Sequence, residues 1–340
     1  MTGVSILGAA QTRHVGRRDD ANYMELAFEV VEELLARTGW THDRVGTVIG
    51  ASSDFWDGRT ISEIAIQDAA GAAGKSASKV SMDGAFALVY AAARIASGAF
   101  QTCLVVAHGK ASEGNPRKIA NAGFDPLYQR PLGIDDHAAL GLQARAFLEG
   151  RKLSPSALAE SAAQSREAAA RNPNAHRRET RHVLEADPLH DDEIAPDSDG
   201  ACAVLLGAST FGGVELAGFG CATDEHALGA RDLGQAGVLP KAAQEAYRRA
   251  GLGPREIDVA EIHDASSAQT LLWREGLGVA CPVNPSGGAM GAQPGFATGL
   301  VRVLEAYERI VRGEARTAIA HGMTGFVGQA HCVWILRRRS

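Results

Sequence analysis

One short passage of this chain is written twice, and that repeat limits its fold more than any other feature. A helical stretch over 25–37 runs into Thr38-Gly39-Trp40, a polar step and the apolar run 45–49. Much later, 241–249 leads into Ala250-Gly251-Leu252, another polar step and the run 257–262. Each copy is followed by a second helix, a glycine and a further apolar run: 87–98 with 103–107, and 300–313 with 317–320. Self-similarity at a half-chain spacing predicts two duplicated α/β halves. In such a pair a site forms most naturally where the loops of the two halves meet.

Composition excludes several alternatives. A chain of 340 residues that is 45% hydrophobic with 39 glycines suits two halves plus an insertion, well buried and rich in turns. A net charge of −6 carries no nucleic-acid signature, and the one basic run, Arg337-Arg338-Arg339, is a C-terminal tail. No window approaches the roughly 18 uncharged apolar residues of a membrane span. Residues 1–11 read as a first strand and not as a signal peptide. Cys103, Cys202, Cys221, Cys281 and Cys332 stand singly with no CxxC spacing. That pattern argues against a metal site and for a reducing cytoplasmic location, and the four in or beside apolar runs, Cys103, Cys202, Cys281 and Cys332, read as small buried residues in strands.

Along the chain, 4–8 is an opening strand. A helix from about Asn22 carries Met24, Ala27, Phe28, Val31, Leu34 and Leu35 at helical spacing, with Gly39 at its C-cap. A strand over 79–82 ends at Asp83-Gly84, and an alanine-rich helix follows, suited to close approach on several sides. Residues 110–197 break the repeat with helices over 136–149 and 155–171, the second with Ser154 as N-cap and Pro155 at N1. Asp199-Gly200 opens the strand that completes the first half. The expected division is a first half over 1–112 completed by 198–210, an inserted loop domain over 113–197, and a second half over 211–340.

Four stretches give this pattern a family likeness: DGACAVLL from Asp199, EIHDASS over 261–267, VNPSGG over 283–288, and the GxxPxFATG element over 291–299. With them the whole chain resembles the thiolase superfamily, in the branch allied to sterol-carrier-protein thiolases and acetyl-CoA acetyltransferases. The resemblance implies an α/β thiolase fold with a duplicated five-layer α-β-α-β-α core and an inserted loop domain. It also implies a cysteine nucleophile at the N-terminus of the buried helix, where helix-end amides stabilise a thiolate. Counting forward from the strand puts that position at Gly84, and counting back from Ser97-Gly98 puts it at Ser81. Neither is cysteine; a Ser81 activated by His263 is conceivable, but the residue is expected to point from a strand. The family's glycine-histidine-proline histidine falls on Gln293, which donates a hydrogen bond but cannot act as acid or base near pH 7. The cysteine that follows the His-Asp pair in sterol-carrier types falls on Ala265, and the later cysteine loop on residues 321–325. Acyl-cysteine Claisen chemistry is therefore not expected.

The resemblance leaves a set of candidate residues. His263 matches the loop residue that holds a water or substrate oxygen in the oxyanion hole, or is a histidine satisfied at a strand end. His321 stands at the corresponding loop of the second half. Asp83 is either a helix N-cap or a catalytic base in the emptied cysteine pocket. His137 caps an insertion helix or meets substrate, and Asp264 orients a neighbour. Gly287, Gly288, Gly291 and Gly299 permit close approach of backbone, for packing or for substrate. Arg117, Lys118 and Arg130 meet the nucleotide of coenzyme A or form a solvated face. Two functions are implied. One is non-covalent, retro-aldol-like cleavage or formation of a C–C bond in an acyl-CoA thioester. The other is a non-catalytic pseudo-thiolase subunit supporting a cysteine-bearing paralogue. No bound cofactor is expected, coenzyme A arriving with the substrate. Expected partners are acyl-CoA, a second copy or a thiolase paralogue, and a small protein with an OB-fold and zinc ribbon.

Overall fold

The computed structural model describes residues 3–176 and 182–339; Met1, Thr2, 177–181 and Ser340 lie outside the described residues. Nine strands form one sheet among them: β1 (Val4–Gln11), β2 (Thr47–Ala51), β3 (Ser76–Val80), β4 (Thr102–Lys110), β5 (Asp199–Ala208), β6 (Val214–Thr223), β7 (Val259–Ile262), β8 (Thr317–Thr324) and β9 (Ala330–Arg337). Their order is β3-β2-β4-β5-β1-β6-β9-β8-β7. Counted outward from the β1–β6 seam, β1-β5-β4-β2-β3 on one side mirrors β6-β9-β8-β7 on the other. The place of the missing outer strand is held by a single parallel bridge between Ala260 and Val283. Pro282 has no N–H to extend that bridge into a ladder, which is why an apolar run there does not become a strand. The seam itself is thin, with Ser5 opposite Glu215 and Ile6 opposite Val214.

Helices sort into three layers. α1 (Tyr23–Thr38) packs on the outer face of β4 and β5 through Leu26, Val30, Val31 and Leu34. Its N-cap Asn22 forms a capping box with Glu25, and Gly39 ends it at φ 67° in the left-handed region. The buried stripe differs slightly from the expected one: Phe28 is 54% exposed, and Leu26 and Val30 take the core positions instead. Between the two half-sheets lie α2 (Gly84–Ala96) and α7 (Thr298–Val311). The small Ala85, Ala91 and Ala92 of α2 let it meet Leu300 and Leu304 of α7 while both sheets close around it. The outer face of the second half is covered by α5 (Leu239–Ala250) and α6 (Ser267–Leu277) around Trp273, Ile319 and Val333. The result is α-β-α-β-α.

The insertion adds α3 (Asp136–Arg151) and α4 (Ser156–Arg171). α3 docks Leu140, Ala144 and Phe147 into the same core as α6. Two details differ from expectation. The strand before Asp83 is Ser76–Val80, ending two residues early. α4 starts at Ser156 with Pro155 at its N-cap, and the Ser154 hydroxyl bonds that of Ser156 at 2.6 Å. No helix among the described residues is long and apolar enough to cross a membrane.

Candidate active site

Loops from both halves and from the insertion enclose a cavity of ≈ 550 Å³. It opens at the C-terminal ends of β4 and β7, at the α2 N-terminus and under the β8–β9 turn, with the start of α3 as one wall. A β-carbon at Gly109 would run into the Pro294 backbone, so the turn carrying Gln293 lies directly on the end of β4. That contact joins the two halves at the cavity floor.

Asp83 is the centre of the site. It is 2% exposed and forms the N-cap of α2. Its Oδ1 accepts the Ala85 N–H at 2.8 Å, and its Oδ2 accepts the Gly299 N–H at 2.8 Å from the other half. His263, at the end of β7 and 8% exposed, brings Nδ1 within 3.5 Å of the same Oδ2. Both side chains line the cavity, as does Gln293. A carboxylate has lone pairs left after two N–H bonds, so Asp83 is both a cap and a group able to take a proton.

The two positions expected for a nucleophile are not nucleophilic here. Gly84 is the first residue of α2, and a β-carbon there would lie 2.7 Å from the Leu300 Cβ and 3.2 Å from that of Ala107. Ser81 sits in the bend after β3, exposed and off the cavity wall. Among the described residues no cysteine lines the cavity. Cys103, Cys202 and Cys332 are buried in the core, Cys281 is half-buried against the expectation that it is buried, and Cys221 is exposed. Among the described residues no three His, Cys, Asp or Glu side chains group as metal ligands.

Several other expected residues fall elsewhere. His321 lies inside β8 and not in a loop; it is 0% exposed, bonds His331 at 2.9 Å and does not reach the cavity. Burial drives its imidazole well below the ordinary range, with neighbouring His331 and His263 adding to the effect. Gly287, Gly288 and Gly291 do not line the cavity either; a β-carbon at the first would meet Ala169 at 2.6 Å, and at Gly288 the Asp264 carboxylate at 2.6 Å. Their service is to packing. Asp264 is a buried anchor that accepts from Ala289 N at 2.8 Å and from Asn284 and Thr270. His137 does line the cavity, but the α3 cap is Asp135, and His137 pairs with Glu185 at 3.1 Å. Arg117 is committed to Asp135 and Glu185, and Arg130 to the carbonyls of Ala122 and Phe124.

The cavity also holds residues that no sequence motif marked. His108, Lys110, Tyr23 and Arg59 line it. His108 sits in an apolar strand and reads as core. A signal for it was present: Ala-His-Gly occurs at 107–109 and again at 320–322, at equivalent places on β4 and β8.

Comparison with known proteins agrees with this architecture. The family described as Thiolase C-terminal domain-like matches residues 220–281. Sterol carrier protein 2 of Rattus norvegicus is 31% identical over 157 residues, covering 36% of this chain and 28% of the rat protein. An acetyl-CoA acetyltransferase of Methanothermobacter thermautotrophicus is 31% identical over 176 residues, 44% of this chain and 45% of that protein. The chain thus spans less than half the length of these relatives. Among solved structures, an Ltp2-ChsH2(DUF35) aldolase superposes at TM-score 0.81 and 19% identity over 99% of this chain and 98% of that one. Human mitochondrial 3-ketoacyl-CoA thiolase gives TM-score 0.81 at 16% identity over 99% of both chains. At these identities the structural likeness speaks for the fold, which is that of the thiolases.

Proposed function

We propose that this chain, which has the thiolase fold and relatives of the sterol-carrier type, cleaves or forms a C–C bond in an acyl-CoA thioester without a covalent acyl-enzyme. The observation that carries the reading is the pairing of Asp83 with His263 across 3.5 Å in a cavity whose described lining includes no cysteine. In the cleavage direction Asp83 takes the proton of a β-hydroxyl. The Cα–Cβ bond breaks, the β-carbon leaves as a carbonyl, and the electron pair passes to the thioester as an enolate. His263 and Gln293 hold the enolate oxygen until its α-carbon takes up the proton. No group outside the chain and substrate is required. The solved neighbour described as an aldolase with a DUF35 component supports the reading. The proposal includes a cytoplasmic location, assembly with a second copy or a thiolase paralogue, and a small OB-fold, zinc-ribbon partner.

One observation favours the second function, a non-catalytic subunit: the insertion leaves Leu127, Tyr128 and Leu132 at least 75% exposed, an apolar surface suited to a paralogue. The two are separated by incubating the purified chain with 3-hydroxyacyl-CoA substrates and assaying for a shortened acyl-CoA and a free aldehyde or ketone. Turnover is expected, and Asp83→Asn, which keeps a cap oxygen but loses the base, should lower kcat about 10²–10⁴-fold. His263→Ala should also lower kcat. An acylated peptide found by mass spectrometry after incubation with acetyl-CoA would overturn the non-covalent mechanism. Absence of turnover together with an equimolar cysteine-bearing paralogue on purification from the native host would favour the subunit.

A further inference from the structure

The strand β4 alternates its side chains, so Ala107 faces Gly84 of α2 while His108 turns to the opposite side, against Tyr23 at a ring separation of 5.6 Å. There it lines the cavity at 2% exposure. Its Nε2 lies 3.8 Å from Asp57 Oδ1, beyond a direct hydrogen bond, and its Nδ1 has no partner among the described residues. Burial, opposed by Asp57 and helped by Arg59, holds the imidazole below its ordinary range. The neutral ring has one donor and one acceptor, and neither is used in full. Its counterpart in the repeat, His321, bonds His331 through Nε2 and also has an unpartnered Nδ1, but it lies in the packed core and does not line the cavity. The His108 Nδ1 is sealed off from the cavity, so the ring atom left open to a ligand is Nε2, which faces Asp57 Oδ1 across 3.8 Å.

The charges of that cavity narrow what can supply the missing partner. Asp57, Asp83, Glu113, Asp136 and Asp197 line it, against the cations Arg59 and Lys110. Both cations are committed, Arg59 to Glu113 and Lys110 to Asp199 at 2.6 Å. An anionic group would enter a cavity where carboxylates outnumber cations, and Asp136 is already pushed up in pKa by burial. A plain hydrocarbon would leave His108 Nε2 and Asp57 Oδ1 without partners and without water, while Asp57 Oδ2 is already held by the Ser53 N–H at 2.9 Å.

We infer that His108 and Asp57 form a subsite for an uncharged hydroxyl or carbonyl oxygen carried on the acyl chain of the substrate, on the side of β4 away from the reacting bond. This rests on the acyl-thioester reading. His108 is a specificity-determining residue: the cavity selects a neutral oxygenated chain over a hydrocarbon or a carboxylate-tipped one. The pantetheine arm also carries neutral oxygens, and the test separates the two sources.

The test is calorimetric binding of unreactive acyl-pantetheine amides with six-carbon chains, bearing only hydrogen, a hydroxyl, or a carboxylate at C4, C5 or C6. For the unaltered chain, one hydroxyl analogue should bind about 10-fold tighter than the hydrocarbon, with the carboxylates weakest. His108→Leu should reduce the hydroxyl preference to within about 2-fold while leaving the hydrocarbon's affinity in place, and His108→Gln, which keeps a donor and an acceptor, should retain it. The inference is overturned if the hydrocarbon or a carboxylate binds tightest, or if the hydroxyl preference survives in His108→Leu. It is also overturned if that variant weakens every analogue and pantetheine alone equally, which would assign His108 to the carrier arm. The ligand series on the unaltered chain decides the matter even if the variant does not fold. If no analogue binds at all, the acyl-thioester reading itself falls.

Discussion

A side chain at Gly84 would have its β-carbon 2.7 Å from that of Leu300, inside the packed contact between α2 and α7. Restoring a cysteine there is therefore not a route back to acyl-enzyme chemistry. Gly84→Cys should lower stability by about 1–3 kcal/mol, read as a shift in the urea midpoint, and should yield no acylated peptide with acetyl-CoA. The native thiols give a second check. Burial pushes Cys103 up to about 12 and raises Cys202 and Cys332 well above the thiol range, whereas the neighbouring Cys332 thiol lowers exposed Cys221. A disulfide reagent near neutral pH should label Cys221 first and leave the three core thiols silent until the chain unfolds. The sequence made Asp83, His263 and Gln293 legible because each stands in a turn beside a recognisable motif. His108 was not legible, since one histidine in an apolar run has the pattern of a core residue, and only its partner Ala-His-Gly on β8 distinguishes it. His321 misled for the same reason in reverse: its strand runs on through Thr324, so what looks like a loop residue is inside the sheet.

At the scale of elements, the β8–β9 hairpin carries two buried histidines, His321 and His331, whose rings bond each other at 2.9 Å. Burial brings His331 down to about 3 from 6.5. Since the folded value is below the unfolded one, its effect on stability is absent above pH 6.5. As pH falls from 6.5 toward 3, the unfolded chain takes up a proton that the native state refuses, and stability drops. Each such histidine contributes at most about 1.4 kcal/mol per pH unit. Glu63 and Asp264, both raised to about 7 by burial, act oppositely: their native advantage is full at low pH and is lost as pH rises toward 7. Urea midpoints between pH 6.5 and 5 should therefore show a smaller acid-side loss for His331→Gln than for the unaltered chain. An unchanged slope would remove His331 from the account. The elements themselves were largely legible, because Asn22, Gly39 and the alanine-rich turn after Asp83 signal ends and close packing locally. The β3 boundary was less so, since the strand ends where its pairing with β2 runs out, at Val80 opposite Ala51.

For the whole molecule, the repeat in the sequence was enough to anticipate two α/β halves, but not how they are joined. Among the described residues only two pairs link β1 to β6, while α2 and α7 lie against each other between the sheets. Gln11 at the end of β1 donates to Glu305 of α7 at 2.8 Å, and Asp83 accepts from Gly299. Each half thus supplies part of the other's interior. Residues 1–212 and 213–340 made separately should show no cooperative thermal transition, and should regain one when mixed during refolding; independent folding of either fragment would contradict the shared core.

The Asp83 cap is where that sharing is tightest. A β-carbon at Gly299 would collide with its carboxylate, and one at Gly322 would come within 2.8 Å of Oδ1. A duplication ordinarily frees one copy to drift while the other keeps its task. Here the first copy's key carboxylate is lodged in a space that the second copy must keep empty at two positions, so the halves are bound to change together or not at all.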